Sequence, residues 1–215
     1  MQFSNADGIN IVFNLIKVIQ DNKQYLSDID GLIGDGDHGI NMNKGFTLCQ
    51  EQLNNNPGDL SHGLNTLSKI LMMKIGGSMG PLYGYFFKSM ASACDGMEMI
   101  DAEIFGKMIT SSKESIEKIS EAKVGDKTLM DVLIPSEAAY QTALTDGKPF
   151  SECLEAMTTA AQQGRDSTKD LIAKVGRSSR LGERSRGVID AGSASCCLIL
   201  ETFSTSIQTL LQKAS

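Results

Sequence analysis

Apolar residues recur three and four positions apart along most of the chain, a spacing that places them on one face of an α-helix. In the first such segment, Val12, Ile16 and Ile19 form one apolar stripe. The pattern predicts eight helices, at 8–26, 40–54, 59–75, 81–94, 101–119, 128–145, 150–173 and 193–212. Convincing alternation of apolar and polar residues is absent, and valine, tyrosine and tryptophan, which favour strands, are scarce. We therefore predict an all-α bundle.

Polar residues and prolines predict where several of these helices begin or bend. Asp7, Asp59 and Asp101 stand where a carboxylate can cap a helix N-terminus, and Thr128 stands in the same place before the sixth helix. Pro135 lies inside that sixth helix, where its missing N–H predicts a kink or a break. The loops are short, and neither internal repeats nor low-complexity linkers are visible, so the sequence predicts a single domain over 1–215.

Composition narrows the class of protein. Apolar residues make up 41% of the chain and charged residues 21%, as in soluble globular proteins, and the net charge of −6 argues against a nucleic-acid-binding surface. No eighteen-residue apolar run occurs, so we expect no membrane span. Five cysteines without a C-x-x-C spacing favour a reduced, cytoplasmic protein over a disulfide or zinc framework.

The stretch IGDGDHGIN (33–41) concentrates metal-ligand chemistry in the loop between the first two predicted helices. It contains Asp35 and Asp37, and Asp30 lies just before it. Glycines between the acids let the backbone fold so that the carboxylates face one way. A calcium EF-hand loop counted from Asp35 needs glycine at its sixth position and an acid at its twelfth, where the chain has Ile40 and Phe46, so that motif is excluded. Two interpretations remain open, a Mg²⁺ site and a turn in which Asp37 or His38 caps the next helix.

Three later segments offer places for a ligand, each with a simpler explanation beside it. In KIGGSMGPLYG (74–84), glycines at a helix N-terminus suit a phosphate, although tight helix packing explains them equally well. In VGDKTLMDVLIPS (124–136), Leu129 offers apolar contact to a planar ligand, although helix capping accounts for the segment. In GRSSRLGERSRGVIDAGSAS (176–195), four of the chain's five arginines favour a phosphate or carboxylate partner, although exposed arginines need no ligand.

In this order, GDGDHGINMNKGF, GGSMGPLYG, GDKTLMDVL and GRSSRLGERSRGVIDAGSAS resemble the L subunit of bacterial dihydroxyacetone kinases, over residues 30–195. The resemblance implies an eight-helix antiparallel up-and-down barrel with the nucleotide at one end. It implies ADP or ATP as cofactor, with two Mg²⁺ ions between the phosphates and the aspartates.

The same resemblance implies roles for particular residues. The metal ligands would be Asp30, Asp35 and Asp37. The nucleotide would be contacted by His38 and Asn41, by Ser78, Met79 and Gly80 along its phosphates, by Leu129 at its base, and by Arg177, Asp190, Gly192 and Ser193, which would close the site. Two positions depart from the pattern common in the family, Met79 in place of a serine and Ala191 in place of a proline.

A chain of this length resembles the separate subunit of the phosphotransferase-system-dependent enzymes, in which ADP stays bound as a coenzyme. The resemblance implies a multiphosphoryl M subunit that phosphorylates the ADP, and a K subunit that holds dihydroxyacetone for the transfer. We expect no catalytic residue beyond the metal ligands. Two alternatives stay open, an ATP-dependent kinase subunit for a related ketose or polyol and a non-catalytic regulatory module of the same fold.

Overall fold

The computed structural model describes residues 1–213 and confirms the all-α prediction, with helices near the positions that apolar periodicity indicates. The α-helices in this range are α1 (Ile9–Asp21), α2 (Lys23–Ile33), α3 (His38–Asn55), α4 (Leu60–Lys74), α5 (Met79–Cys94), α6 (Ala102–Glu117), α7 (Met130–Thr145), α8 (Phe150–Ser167) and α9 (Ala191–Lys213). Two 3₁₀ segments, Thr168–Asp170 and Arg177–Ser185, lie between α8 and α9.

Eight of these helices close into a ring. From α3 to α9 each helix contacts the next along the chain, α9 returns to contact α1, and α1 contacts α3. Alternate helices of the ring, α3, α5, α7 and α9, begin at the same end, where their first residues line one cavity. One continuous cluster of buried side chains fills the interior. The predicted eight-helix barrel is therefore confirmed, and α2 is a ninth helix that lies against α3, α9 and the segment 177–185.

The single helix predicted at 8–26 is wrong, because α1 and α2 are separate. The break lies at Asn22, which leaves the helical conformation while its side-chain amide donates to the Val18 carbonyl at 2.8 Å. Asparagine often competes with the helix backbone in this way. The new helix begins at Lys23, so Asp30 lies on a helix and not in the loop where the sequence placed it.

The predicted caps are partly confirmed. Asp59 and Asp101 each accept the backbone N–H three residues later, at 2.8 and 2.9 Å. Asp7 does not cap α1; its carboxylate accepts the hydroxyl of Ser4, and α1 begins after Gly8 without a side-chain cap.

Pro135 does not break α7, which runs through it from Met130 to Thr145. Its missing N–H leaves the Asp131 carbonyl without the usual partner four residues on. Gly164 of α8 lies against that carbonyl, so close that a Cβ on it would be 2.2 Å from the oxygen. The neighbouring helix thus packs tightly at the place where the proline weakens α7.

The helix predicted at 150–173 ends earlier, at Ser167. The hydroxyls of Ser167 and Thr168 donate to the carbonyls of Gly164 and Arg165, at 2.7 and 2.6 Å. These bonds occupy carbonyls of the last turn, and the chain continues as a long segment, 168–190, that returns to the start of α9.

Two short strands, β1 (Gln2–Ser4) and β2 (Met99–Asp101), pair antiparallel and were not predicted. Beside them lies Asn5, which is 3% exposed. Its amide donates to the carbonyls of Cys94 and Met97, at 3.2 and 2.8 Å, and its Oδ1 accepts the Ser61 N–H at 3.3 Å. This cluster ties the N-terminal segment to the start of α4 and the end of α5.

Among the described helices, α9 has the length and apolar composition to cross a membrane. Of its most apolar window, 61% is buried inside the protein, and the helix contacts α1, α7 and α8. Its apolar character is therefore that of a core helix.

A candidate metal and anion site

Three carboxylates meet where α2 ends and α3 begins. Asp30 lies in the last turns of α2, and Asp35 and Asp37 lie in the connection to α3. One ligand oxygen from each lies within 4.8 Å of the others. Closely spaced carboxylate oxygens are the donors that hard divalent cations such as Mg²⁺ take in proteins. The cluster therefore suits such a cation chemically.

The local backbone explains why these acids converge. Gly36, between Asp35 and Asp37, has a φ of 76°, a backbone conformation that glycine adopts at little cost. Gly39, in the first turn of α3, lies so close to α2 that a Cβ would be 2.0 Å from the Lys23 carbonyl. The first N–H of α3, on His38, donates to Asp30 Oδ2 at 3.3 Å. Asp30 thus serves α3 where the sequence suggested Asp37 or His38 as the cap.

Arg177 connects the arginine-rich segment to the acid cluster. Its guanidinium forms an ion pair with Asp35 and lies 3.7 Å from Asp37 Oδ2. The Arg177 side chain is 59% exposed, so this pairing is screened by water and is readily exchanged. Arg186 turns elsewhere, to Glu183 at 3.0 Å.

A cavity of about 720 Å³ opens beside the carboxylates. The first residues of four helices line it, namely His38 of α3, Met79 of α5, Met130 of α7 and Ala191 of α9. Each helix N-terminus carries partial positive charge, which favours an anion, while side chains already accept the N–H groups of His38, Met130 and Ser193. The cavity therefore offers carboxylates for a cation and four helix N-termini for an anion at the same place.

One wall of the cavity is apolar. It includes Leu129, together with Ile116 and Ile119 at the end of α6 and Tyr85 on α5. Ile119 is 45% exposed, so this wall borders the opening. Ile116, Ile119 and Tyr85 were not predicted, because nothing in their helical periodicity separates cavity-facing from core-facing positions.

The segment before α7 is held by a carboxylate. Asp131, 1% exposed, accepts the N–H groups of Gly125 and Thr128 at 2.6 and 2.7 Å. Thr128 accepts the Met130 N–H at 3.2 Å, so it contributes to the helix start as predicted, but Asp131 does more. Ser193 of α9 donates its hydroxyl to the Thr128 carbonyl at 2.6 Å, which joins this segment to the start of α9.

Asp190 caps α9 by accepting the Ser193 N–H at 2.7 Å. Burial raises the pKa of Asp190 to about 6, although the hydrogen bonds from Ser193 act in the opposite direction. A side chain at position 192 would place its Cβ 3.1 Å from Asp190 Oδ2, so the close approach favours the glycine found there.

Lys127 is a buried cation that the sequence did not single out. Its side chain is 2% exposed, and its ammonium donates to the carbonyls of Thr168, Leu171 and Val188, at 2.6, 3.3 and 2.5 Å. Burial lowers the pKa of Lys127. All three carbonyls belong to the long segment that carries Arg177, so one ammonium fastens that segment beside the cavity.

His38 belongs to a small buried network. Its Nε2 lies 2.8 Å from the Ser195 hydroxyl, which lies 2.6 Å from the Tyr83 hydroxyl. Both hydroxyls reach the Gly192 carbonyl, at 3.1 Å from Ser195 and 3.2 Å from Tyr83. Burial lowers the pKa of His38 to about 4. The histidine that the sequence highlighted thus contacts α5 and α9 from the start of α3.

The structure gathers nearly all of the sequence-predicted site residues at this cavity. Its lining includes Asp30, Asp35, Asp37, His38, Asn41, Ser78, Met79, Leu129, Arg177, Asp190 and Gly192. Gly80 and Ser193 lie behind it. Gly80 packs on the Ile75 carbonyl, to which a Cβ would come within 2.2 Å, and Ser193 is fully buried. The ligand role of each residue stays a prediction.

Comparison with known proteins gives a consistent group of relatives. A family model described as the DAK2 domain matches residues 32–205. The ADP-binding subunit DhaL of PEP-dependent dihydroxyacetone kinase 1 from Listeria innocua is 42% identical over 193 residues, which cover 89% of this chain and 89% of that protein. The DhaL subunit of the PEP-dependent dihydroxyacetone kinase from Escherichia coli is 30% identical, covering 94% of this chain and 96% of that protein.

The fold also matches a solved structure. The dihydroxyacetone kinase of C. freundii in its native form aligns with a TM-score of 0.70 at 21% identity, over 93% of this chain. The aligned part is 34% of that kinase, so this chain corresponds to about a third of the larger protein. At this identity the likeness concerns the fold.

Proposed function

The chain belongs to the DAK2 domain family and to its DhaL-type subunits, and on this premise we propose that it is the ADP-binding subunit of a dihydroxyacetone kinase that depends on the phosphotransferase system. In this proposal residues 1–215 form a single nucleotide-binding domain. Its cofactors are ADP or ATP and two Mg²⁺ ions.

The observation that carries the proposal is the meeting of opposite charges at one cavity. Asp30, Asp35 and Asp37 suit a divalent cation, and the N-termini of α3, α5, α7 and α9 suit an anion. A nucleoside diphosphate with bound magnesium is a ligand that needs both. The apolar wall that includes Leu129 and Ile116 suits a flat base.

Phosphoryl transfer depends mainly on positioning and on neutralising charge, which the residues of this cavity can provide. Magnesium, when bound to the three aspartates, supplies charge neutralisation at the phosphates. Ser78 begins α5 without using its hydroxyl as a cap, so that hydroxyl is available to a phosphate oxygen. Arg177 can turn from its carboxylate partners to the phosphates, because its present ion pairs are exposed.

We further propose two protein partners. A multiphosphoryl M subunit would phosphorylate the bound ADP, and a K subunit would hold dihydroxyacetone for the transfer. The exposure of Ile119 and Arg177, which both line the cavity, supports access by a second protein. A cytoplasmic location follows from this assignment.

The test is to denature the purified protein and to analyse the nucleotide that is released. We expect ADP or ATP in near-stoichiometric amount, and Mg²⁺-dependent rebinding of ADP after its removal. Absence of both released nucleotide and Mg²⁺-dependent binding would contradict the proposal.

Two alternatives are separated by simple experiments. If the sugar is a related ketose or polyol, assays with a K-type partner and several ketoses will show higher kcat/KM for another substrate than for dihydroxyacetone. If the chain is a regulatory module, Asp35→Ala and Asp37→Ala will leave partner binding intact and will change no phosphoryl flux. The proposed kinase subunit loses that flux in both variants.

A further inference from the structure

The arginine-rich segment leaves two of its four guanidinium groups without a partner. Arg177 pairs with two aspartates of the acid cluster, and Arg186 pairs with Glu183 at 3.0 Å. Within residues 1–213, Arg180 and Arg184 form neither an ion pair nor a hydrogen bond, and both are exposed. These two groups are therefore open to a partner molecule.

The first of them, Arg180, lies on the same side of the segment as Arg177. The chain forms a 3₁₀ helix from Arg177 to the kink at Gly182, and in such a helix residues three apart eclipse each other, about 6 Å along the axis. Arg177 lines the cavity and contacts its carboxylates. Arg180 therefore lies beside the cavity, and Arg184 follows just after the kink.

The backbone that carries these arginines is fixed in place. Ser179 and Ser185 donate their hydroxyls to the carbonyls of Gly176 and Gly182, both at 2.6 Å. Lys127 donates to carbonyls on either side of the segment. A partner that binds the two guanidinium groups therefore has to order their side chains only, and not the loop that carries them.

Exposed apolar side chains border the same opening. Val175, 44% exposed, precedes the segment and lines the cavity together with Ile119, which is 45% exposed. Val124, 57% exposed, lies in the adjoining loop, where the Asp126 carbonyl accepts the Lys174 N–H at 3.1 Å. Arginine next to exposed apolar residues is typical of a surface that binds another protein, whereas a free anion needs no apolar contact.

The charge of this surface indicates the kind of protein. Residues 169–186 contain six basic and two acidic residues, in a chain whose net charge is −6. A protein that delivers phosphate to bound ADP brings negative charge toward a diphosphate, and like charges repel. Guanidinium groups at the opening offset this repulsion and pair well with phosphate and carboxylate groups. Dihydroxyacetone is uncharged, so its delivery by a K subunit meets no such repulsion.

We propose that Arg180 and Arg184 are the docking contact for the acidic face of the phosphoprotein that delivers phosphate to the bound ADP. This inference rests on the proposed function for ADP as the acceptor. It assigns the two arginines to recognition of the phosphate donor and not to the binding of ADP.

The test measures phosphate transfer from the M subunit, phosphorylated with phosphoenolpyruvate, to ADP bound by the full-length protein. Initial rates at increasing donor concentration give the donor KM and kcat. Arg180→Gln is expected to raise the donor KM about 2- to 5-fold, and Arg180→Gln with Arg184→Gln about 4- to 25-fold, with little change in kcat. Both effects should shrink as NaCl rises from about 0.05 to about 0.5 M, since salt screens exposed charges.

Two further variants serve as controls. Lys69→Gln removes an exposed cation on α4 and should leave the donor KM unchanged. Arg180→Lys keeps the charge and should restore most of the loss seen in Arg180→Gln. A double arginine variant with the donor KM of wild type overturns the proposal, and so does a rise of equal size in Lys69→Gln.

Two measurements separate donor docking from the other steps. Calorimetric titration with ADP and Mg²⁺ should give the same affinity in wild type and in the double arginine variant, and transfer to dihydroxyacetone should show an unchanged KM for the K subunit. A loss of ADP affinity, or an equal rise in the KM for the K subunit, overturns the assignment of these arginines to the donor.

Failure of this inference is distinguishable from failure of the proposed function. A wild-type protein that binds ADP with Mg²⁺ but takes no phosphate from the donor overturns the inference alone. A wild-type protein that binds no ADP contradicts the proposed function, and calorimetric binding of the phosphorylated M subunit to wild type and to the double arginine variant then still tests the docking contact.

Discussion

Replacing Lys127 with methionine removes a buried ammonium that donates to three carbonyls, of which that of Thr168 keeps the Leu171 N–H. In the wild-type protein, Lys127 Nζ lies 2.6, 3.3 and 2.5 Å from the carbonyl oxygens of Thr168, Leu171 and Val188. The backbone at Lys127 has a φ of 64°, which is unfavourable for any residue with a side chain. Methionine shares that conformation and nearly the same length, so Lys127→Met isolates the effect of the ammonium.

The expected magnitude follows from the three bonds. A buried polar group left unpaired costs about 1–3 kcal/mol, and the ammonium's own desolvation, which lowers its pKa, offsets part of the loss. We therefore expect Lys127→Met to lower the free energy of unfolding by about 3 kcal/mol. For a protein of this size that corresponds to a fall of roughly 6–12 °C in Tm.

Guanidinium and thermal unfolding measure this change, with Lys169→Met as the control, because Lys169 is an exposed lysine in the same segment. The control should stay within about 0.5 kcal/mol of wild type. ADP affinity should also fall in Lys127→Met, since the released segment carries Arg177 and leads to Asp190. A Lys127→Met protein as stable as the control would refute the view that this ammonium fastens the segment.

Other substitutions probe the two ends of the barrel. In Gly39→Ala, the new Cβ would lie 2.0 Å from the Lys23 carbonyl and push α2 away from α3. This variant should be less stable by about 1–3 kcal/mol in chemical unfolding, and its Mg²⁺-dependent ADP binding should be weaker. Unchanged ADP binding would contradict this prediction. The raised pKa of Asp190 means that its charged form is disfavoured in the folded protein. Wild type should therefore lose stability relative to Asp190→Asn as pH rises from about 4 to 6, by at most about 3 kcal/mol. A difference in unfolding free energy that does not change with pH would contradict this prediction. Asn5 lies at the end of the barrel away from the cavity, and Asn5→Ala removes three hydrogen bonds. The free energy of unfolding should fall by about 3 kcal/mol in thermal unfolding, while ADP affinity stays unchanged. A parallel loss of ADP affinity would show that the two ends are coupled.

Local pattern was enough for most of the fold. Apolar stripes located the helices of the barrel, and Asp59 and Asp101 cap α4 and α6 because capping needs only a carboxylate three residues before a free N–H. The break at Asn22 was missed, because the apolar pattern continues across it and the decisive bond to Val18 is one of several that an asparagine can make. The strands β1 and β2 were missed because each has three residues and they pair across almost a hundred positions.

The candidate site also contains residues that the local sequence pattern could indicate and residues that it could not. Asp30, Asp35 and Asp37 could be singled out because carboxylates and glycines lie close together in sequence, and the structure brings them together. Lys127 gave no such signal, since its partners are backbone carbonyls 41 or more positions away, and any residue type supplies a carbonyl. Tyr83 and Ser195 were likewise invisible, because each reads as an ordinary helix residue until α3, α5 and α9 are packed together.

The most direct test of the central claim is the affinity for ADP measured by calorimetry with Mg²⁺ and with EDTA, in wild type and in Asp37→Asn. The arrangement of three carboxylates beside four helix N-termini predicts binding that needs Mg²⁺ in wild type and that is at least about tenfold weaker in Asp37→Asn, since a metal ligand is lost. Equal ADP affinity in Mg²⁺ and EDTA, or an Asp37→Asn variant that binds as well as wild type, would contradict the claim that the acid cluster holds the metal of a nucleotide site.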